Sequence, residues 1–244
     1  ILWGWSVQQP QSTGGAELSF SSVEIVFQII SFLFAISIHE SAHAWSANRF
    51  GDPTARLLGR ISLNPIRHID PIGTILFPLV GILAHAPIIG WAKPTPVDTL
   101  RLRNPVRDHV YVAAAGPISN FLVAAAAVIL LLLLRFTSPE AARTLAALGT
   151  YGGATASNSV ITPTVLLLYY LMFINVILAV FNLIPLPPLD GGHILAGLLP
   201  SGARAVFAQV EQYGFLLLFA LIWFGGISWL LMPFLRFFNS LLRI

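Results

Sequence analysis

Cysteine is absent from this 244-residue chain, which excludes disulfides and thiolate ligands and leaves His, Asp and Glu to hold any metal. Charge is scarce as well: Asp, Glu, Lys and Arg supply 9% of the residues, against roughly 25% in soluble domains. With 56% hydrophobic residues and several apolar runs beyond the roughly 18 residues that cross a hydrocarbon core, the chain reads as a membrane protein. Little polar chain remains for a separate soluble domain. The formal net charge of +3 rests on few residues, and no basic patch interleaved with aromatics stands out, so no nucleic-acid partner is expected. The polar stretch from Gln8 to Ser22 holds no Lys or Arg ahead of an apolar run and does not read as a signal peptide, while the opening Ile suggests a natural start further upstream.

What is present divides into an exposed lead-in over 1–22, with Trp3 and Trp5 at the membrane interface, and one membrane-embedded domain over 23–244. The expected class is an all-α polytopic membrane protein with about four to six transmembrane helices and a re-entrant or β-hairpin-like segment near the site. Long apolar helices are expected from Val23 to about Asn48, His109 to Leu134 and Thr164 to Ile184, with one or two further membrane segments between Val206 and Ile244. Residues 135–162, rich in Gly, Ser, Thr and Ala, are expected to form a loop. Of the 13 Lys and Arg, eight (Arg49, Arg56, Arg60, Arg67, Lys93, Arg101, Arg103 and Arg107) lie between 49 and 107, and the positive-inside rule places that region in the cytoplasm.

Within the first apolar helix stands His39-Glu40-Ser41-Ala42-His43. Two histidines four apart share one helical face, the spacing that binds zinc, and the glutamate between them is placed to act as a general base. His39 lies roughly 21 Å along the helix from Ile25, within a core about 30 Å thick. Ionisable groups at that depth are costly and mark function, because each needs a partner to offset desolvation. The candidate third ligand is Asp190, in Asn182-Leu183-Ile184-Pro185-Leu186-Pro187-Pro188-Leu189-Asp190-Gly191-Gly192-His193. For Asp190 to reach the histidines, the 164–184 helix must run parallel to the first and the 109–134 helix against both, so 71–97 must cross an even number of times. A straight helix from Thr164 would carry Asp190 to the interface, and the apolar run after Gly192 favours a Pro-rich segment that folds back. The bland alternatives are a pair of hydrogen-bonded core histidines, an interfacial carboxylate at 190, and a Glu40 that only orients the metal site. His193 reads as packing rather than a fourth ligand, and His68 and Asp70 as residues that tie down their loop.

These stretches resemble the site-2 protease family of intramembrane zinc metalloproteases, over about residues 25 to 225. The resemblance is carried, in order, by His39-Glu40-x-x-His43, Gly90-Trp91-Ala92-Lys93, Gly116-Pro117-x-x-Asn120 and Asn182-x-x-Pro-x-Pro-x-Leu189-Asp190-Gly191. It implies one zinc ion, Glu40 as the catalytic base, and cleavage of peptide bonds in or near a transmembrane helix of a single-pass membrane protein, within membrane lipid. It further implies that Asn182 and Asn120 hold substrate backbone, and that the segment near Pro87 to Val97, including Trp91 and Lys93, offers an edge to an extended substrate. The peptide-binding module found in the outer loop of many relatives has no room between 135 and 162. Two other classes compete with this reading: a catalytically silent protein that recognises transmembrane segments, which the complete set of ligands and base disfavours, and a metal transporter, for which a tight cage is a poor release site.

Overall fold

The computed structural model describes residues 20–77, 80, 91–151 and 159–242. Its helices are α1 (Phe20–Phe50), α2 (Pro105–Thr137), α3 (Pro139–Tyr151), α4 (Ile161–Asn182), α5 (Asp190–Leu198), α6 (Ser201–Glu211), α7 (Gly214–Trp223) and α8 (Gly226–Leu242), with short helical turns between α1 and α2 and no strand among the described residues. Three of them, α1, α2 and α4, are long and apolar enough to cross a membrane; α6 and α7, bent by 67° at their junction, make a fourth span if counted together. The chain is thus an all-α membrane protein. α1 begins at Phe20, inside the lead-in expected over 1–22, and the rest of that lead-in, 1–19, lies outside the described residues. Much of the expected re-entrant segment lies outside them too.

At 1.5 Å per residue, the 33 residues of α2 extend about 50 Å, more than the core thickness. This helix is the hub, packing on α1, α4 and α5, while α1 also packs on α4. Contacts pair Ala35 with Asn120 and His43 with Val112, so α2 runs against α1. Apolar contact between helices gains little in lipid, where tails are as apolar as Leu; small residues and interhelical hydrogen bonds decide association. The interfaces follow that rule: Ala35, Ala44 and Ala47 of α1, Ala113, Ala124 and Ala127 of α2, and Ala179 of α4 are buried, and Ile25, Ile29, Leu122 and Ile129 point outward. Asn120 and Asn175 join α2 to α4 at 2.7 Å.

Residues 135–162 depart from the expected loop. Pro139 occupies the first turn of α3, where its missing N–H costs nothing, and the Ser138 hydroxyl accepts from Ala141 N at 3.3 Å. Ala141, Leu145 and Leu148 then form a buried stripe at helical spacing. A composition of small residues concealed this pattern.

The polar loop after α1 is built as a platform. α1 ends at Gly51, whose φ of 115° is accessible to glycine without strain. The buried Asp52 accepts from Thr54 N and Oγ1 and, at 2.7 Å, from Asp98 N, tying this loop to the stretch before α2. Burial pushes its pKa up, but the Thr54 and Asp98 hydrogen bonds and the nearby Arg101 outweigh it and hold the carboxyl below its ordinary value. Asp70 caps the next turn through Ile72 N and Gly73 N, and His68 Nε2 lies 2.7 Å from the Ser62 carbonyl, so both tie down the loop. Trp91 N donates to Gly73 O at 3.1 Å and Thr74 Oγ1 to Trp91 O at 2.8 Å. The chain therefore returns by residue 91 to the place it left at residue 74.

Candidate metal centre

α1 carries His39 and His43 on one face, and both are buried. The third member arrives by a fold-back. α4 stops at Asn182 because Pro185, Pro187 and Pro188 cannot continue it, and α5 begins at Asp190. Gly191 and Gly192 make the turn feasible: a Cβ on Gly191 would lie 2.5 Å from the Leu183 carbonyl carbon, and one on Gly192 2.6 Å from Pro187 N. Asp190 Oδ2 consequently stands 3.1 Å from His39 Nε2 and Oδ1 3.3 Å from His43 Nε2. The two Nε2 atoms are 3.0 Å apart.

Hydrogen bonds fix what these atoms are. His43 Nδ1 lies 2.7 Å from the Val112 carbonyl, which only accepts, so Nδ1 carries the proton. His39 Nδ1 lies 2.6 Å from Asn120 Oδ1. That atom is the amide oxygen because Asn120 Nδ2 donates to Ala35 O at 3.2 Å and to Asn175 Oδ1, and Asn175 is oriented in turn by donating to Leu171 O at 2.8 Å. With Nδ1 committed to these acceptors, each ring turns its Nε2 inward, where the carboxylate also points, and in a neutral ring that Nε2 is the lone pair a metal takes. Three such atoms at this separation need a metal ion or a proton among them, and Asp190 Oδ2 is buried without a hydrogen-bond partner. Donors about 2.0 to 2.2 Å from a tetrahedral ion stand roughly 3.3 Å or slightly more from one another. The observed 3.0 to 3.3 Å is close to that value, so the residues fit a metal ion of the zinc type. Among the described residues, these three form the one cluster of His, Asp and Glu able to hold an ion.

Gly116 of α2 closes the site from the side. A Cβ there would stand 2.6 Å from Cε1 of both imidazoles, closer than real Cβ atoms come. Gly116→Ala is therefore expected to displace both rings and lower zinc affinity by at least about 10-fold, the lower end of what disturbing ligand orientation costs; competition with a chromogenic chelator measures it.

Residues 27–225 match the model of peptidase family M50. The chain belongs to that family. It is 38% identical over 210 residues to "Putative zinc metalloprotease YwhC" of Bacillus subtilis, covering 86% of each chain. It is 30% identical over 209 residues to "Putative zinc metalloprotease Rip2" of Mycolicibacterium smegmatis, covering 84% of this chain and 69% of that one. A Mycobacterium tuberculosis protein of the same name is 25% identical over 233 residues, covering 87% and 75%. No solved structure matches. Membership in M50 makes the chain a metallopeptidase.

The other site residues of this M50 peptidase are distributed unevenly. Glu40, beside the cluster, receives Thr95 N at 2.8 Å and Thr95 Oγ1 at 2.7 Å on Oε2. Asn120, expected to hold substrate, is fully buried, and its oxygen and both amide hydrogens are taken by His39, Ala35 and Asn175. Asn182 lies half-buried at the end of α4 and donates to Leu178 O at 2.9 Å. Trp91 packs over Gly73 and the Phe77 ring, centroids 5.0 Å apart, and remains partly exposed; Lys93 is exposed, its N–H bonded to His68 O at 2.8 Å. His193 packs on the His109 ring at 5.2 Å, outside the cluster. Sequence reasoning missed Asn175 and Thr95. An amide in the middle of the apolar run of α4 was a usable signal for Asn175; Thr95 had none beyond its neighbourhood.

Proposed function

We propose that this chain is a zinc-dependent intramembrane endopeptidase that cuts peptide bonds in or near transmembrane helices of single-pass membrane proteins. The observation that carries the reading is the metal-shaped convergence of His39, His43 and Asp190 beside Glu40, with His39 about 24 Å along the span that starts at Val23. Three protein ligands leave a tetrahedral ion one open position, the mark of a catalytic site. When bound there, zinc polarises the scissile carbonyl and brings its water toward a pKa of about 7.

The rest is the work of the chain. Val112 O and Asn120 Oδ1 hold the imidazoles with Nε2 inward. Glu40 takes a proton from the attacking water and delivers it to the leaving amine. The substrate helix must unwind locally, since its peptide bonds are otherwise paired and shielded. To Trp91 and Lys93, on the segment that also carries Thr95, and to the Asn182 amide oxygen, we assign contact with the extended stretch. The cation-rich loops between α1 and α2 lie at the same end as the metal cluster, which supports an active site toward the cytoplasm.

Purified protein in liposomes, given a labelled single-pass substrate, should produce a cut mapping within or next to the transmembrane segment. A zinc chelator should abolish the product and added zinc restore it. A zinc-loaded protein that cleaves only soluble peptides would contradict the reading.

A further inference from the structure

We propose that Thr95 is the positioning residue for Glu40, holding its carboxylate in place for proton transfer before substrate arrives. The proposal rests on the reading of Glu40 as the base. Both donors of Thr95, 55 residues away in sequence, fall on one carboxylate oxygen: the N–H at 2.8 Å and the hydroxyl at 2.7 Å from Oε2. That leaves Oε1 to receive a proton. The hydroxyl also stands 3.0 Å from the Glu40 main-chain carbonyl; its single proton goes to the nearer Oε2, and the carbonyl at most shares it. Glutamate has three rotatable side-chain bonds, and a base that wanders among their rotamers loses the orientation on which proton transfer depends.

The grip is itself rigid. Pro94 and Pro96 flank Thr95 and fix their own φ, and a residue preceding proline is confined to extended backbone. Thr95 is β-branched, so its χ1 is stiff. The segment is anchored on both sides, by Lys93 N to His68 O at 2.8 Å and Asp98 N to Asp52 Oδ2 at 2.7 Å. Trp91 and Lys93 belong to the same segment, so the chain that positions the base also flanks the proposed substrate path.

A purely structural role would tie residue 95 to α1 without affecting chemistry selectively. Thr95→Val removes the hydroxyl at nearly constant shape, whereas Thr95→Ser keeps it. With the single-pass substrate in liposomes, Thr95→Val should lower kcat about 10- to 100-fold, the scale of one hydrogen bond to a charged group, with KM within about twofold and zinc content unchanged. Thr95→Ser should restore kcat to within about threefold of the parent. An unchanged kcat in Thr95→Val, a Ser variant as impaired as Val, or loss of zinc together with activity would each overturn the proposal. Glu40→Gln, assayed in parallel, separates the two readings: if it remains active the base assignment fails, and if it is inactive while Thr95→Val is unaffected only the Thr95 role fails.

Discussion

Glu40→Gln is expected to bind about one zinc per chain, as the parent does, and to lose about 10²- to 10⁴-fold in kcat, the contribution of a positioned general base. The substitution suits the question because it changes little else. Gln has the volume of Glu, and its amide oxygen can still accept from Thr95 N, which lies 2.8 Å from Oε2. What is lost is the carboxylate's charge and with it its basicity. His39 and His43 are oriented by Asn120 and Val112, not by Glu40, so the metal site should stay intact. Zinc content by atomic emission, with cleavage rate on the same preparation, checks both halves. A Gln variant that loses zinc would assign Glu40 to holding the site together.

Asp190→Ala should fail at the earlier step. Removing the carboxylate leaves two imidazole lone pairs 3.0 Å apart with no anion to balance a divalent cation. Outer-shell substitutions alone cost 10- to 100-fold in metal affinity, so deleting one of three ligands should cost at least about 100-fold and abolish cleavage. The fold itself should survive, because Gly191 and Gly192 make the close backbone approaches that turn the chain into α5. Chelator competition reads the affinity. An Asp190→Ala protein with parental affinity would place the third ligand elsewhere.

The sequence revealed the parts of this site that depend on chain periodicity. Apolar length marked α1, α2 and α4, and the four-residue spacing put His39 and His43 on one face. Proline chemistry ended α4 within a few residues of the expected position and forced the fold-back that brings Asp190 inward. What stayed hidden was partner choice. Asn120 stands out as a polar residue in an apolar helix, but spacing alone cannot distinguish an amide facing a substrate from one spent on His39 Nδ1, Ala35 O and Asn175. Thr95 lies in a proline-rich stretch whose path depends on anchors at His68 and Asp52, contacts that no local pattern encodes. α3 was obscured for another reason: its Ala, Thr and Gly content resembles a loop, and only the 141, 145, 148 stripe reveals the helix.

The most direct test of the account is the position of the metal itself. Anomalous diffraction at the zinc edge from crystals of the zinc-loaded protein should show one ion about 2.0 to 2.2 Å from His39 Nε2, His43 Nε2 and an Asp190 oxygen. An ion bound away from these three atoms, or a loaded protein in which Asp190 is too distant to share it, would contradict the account.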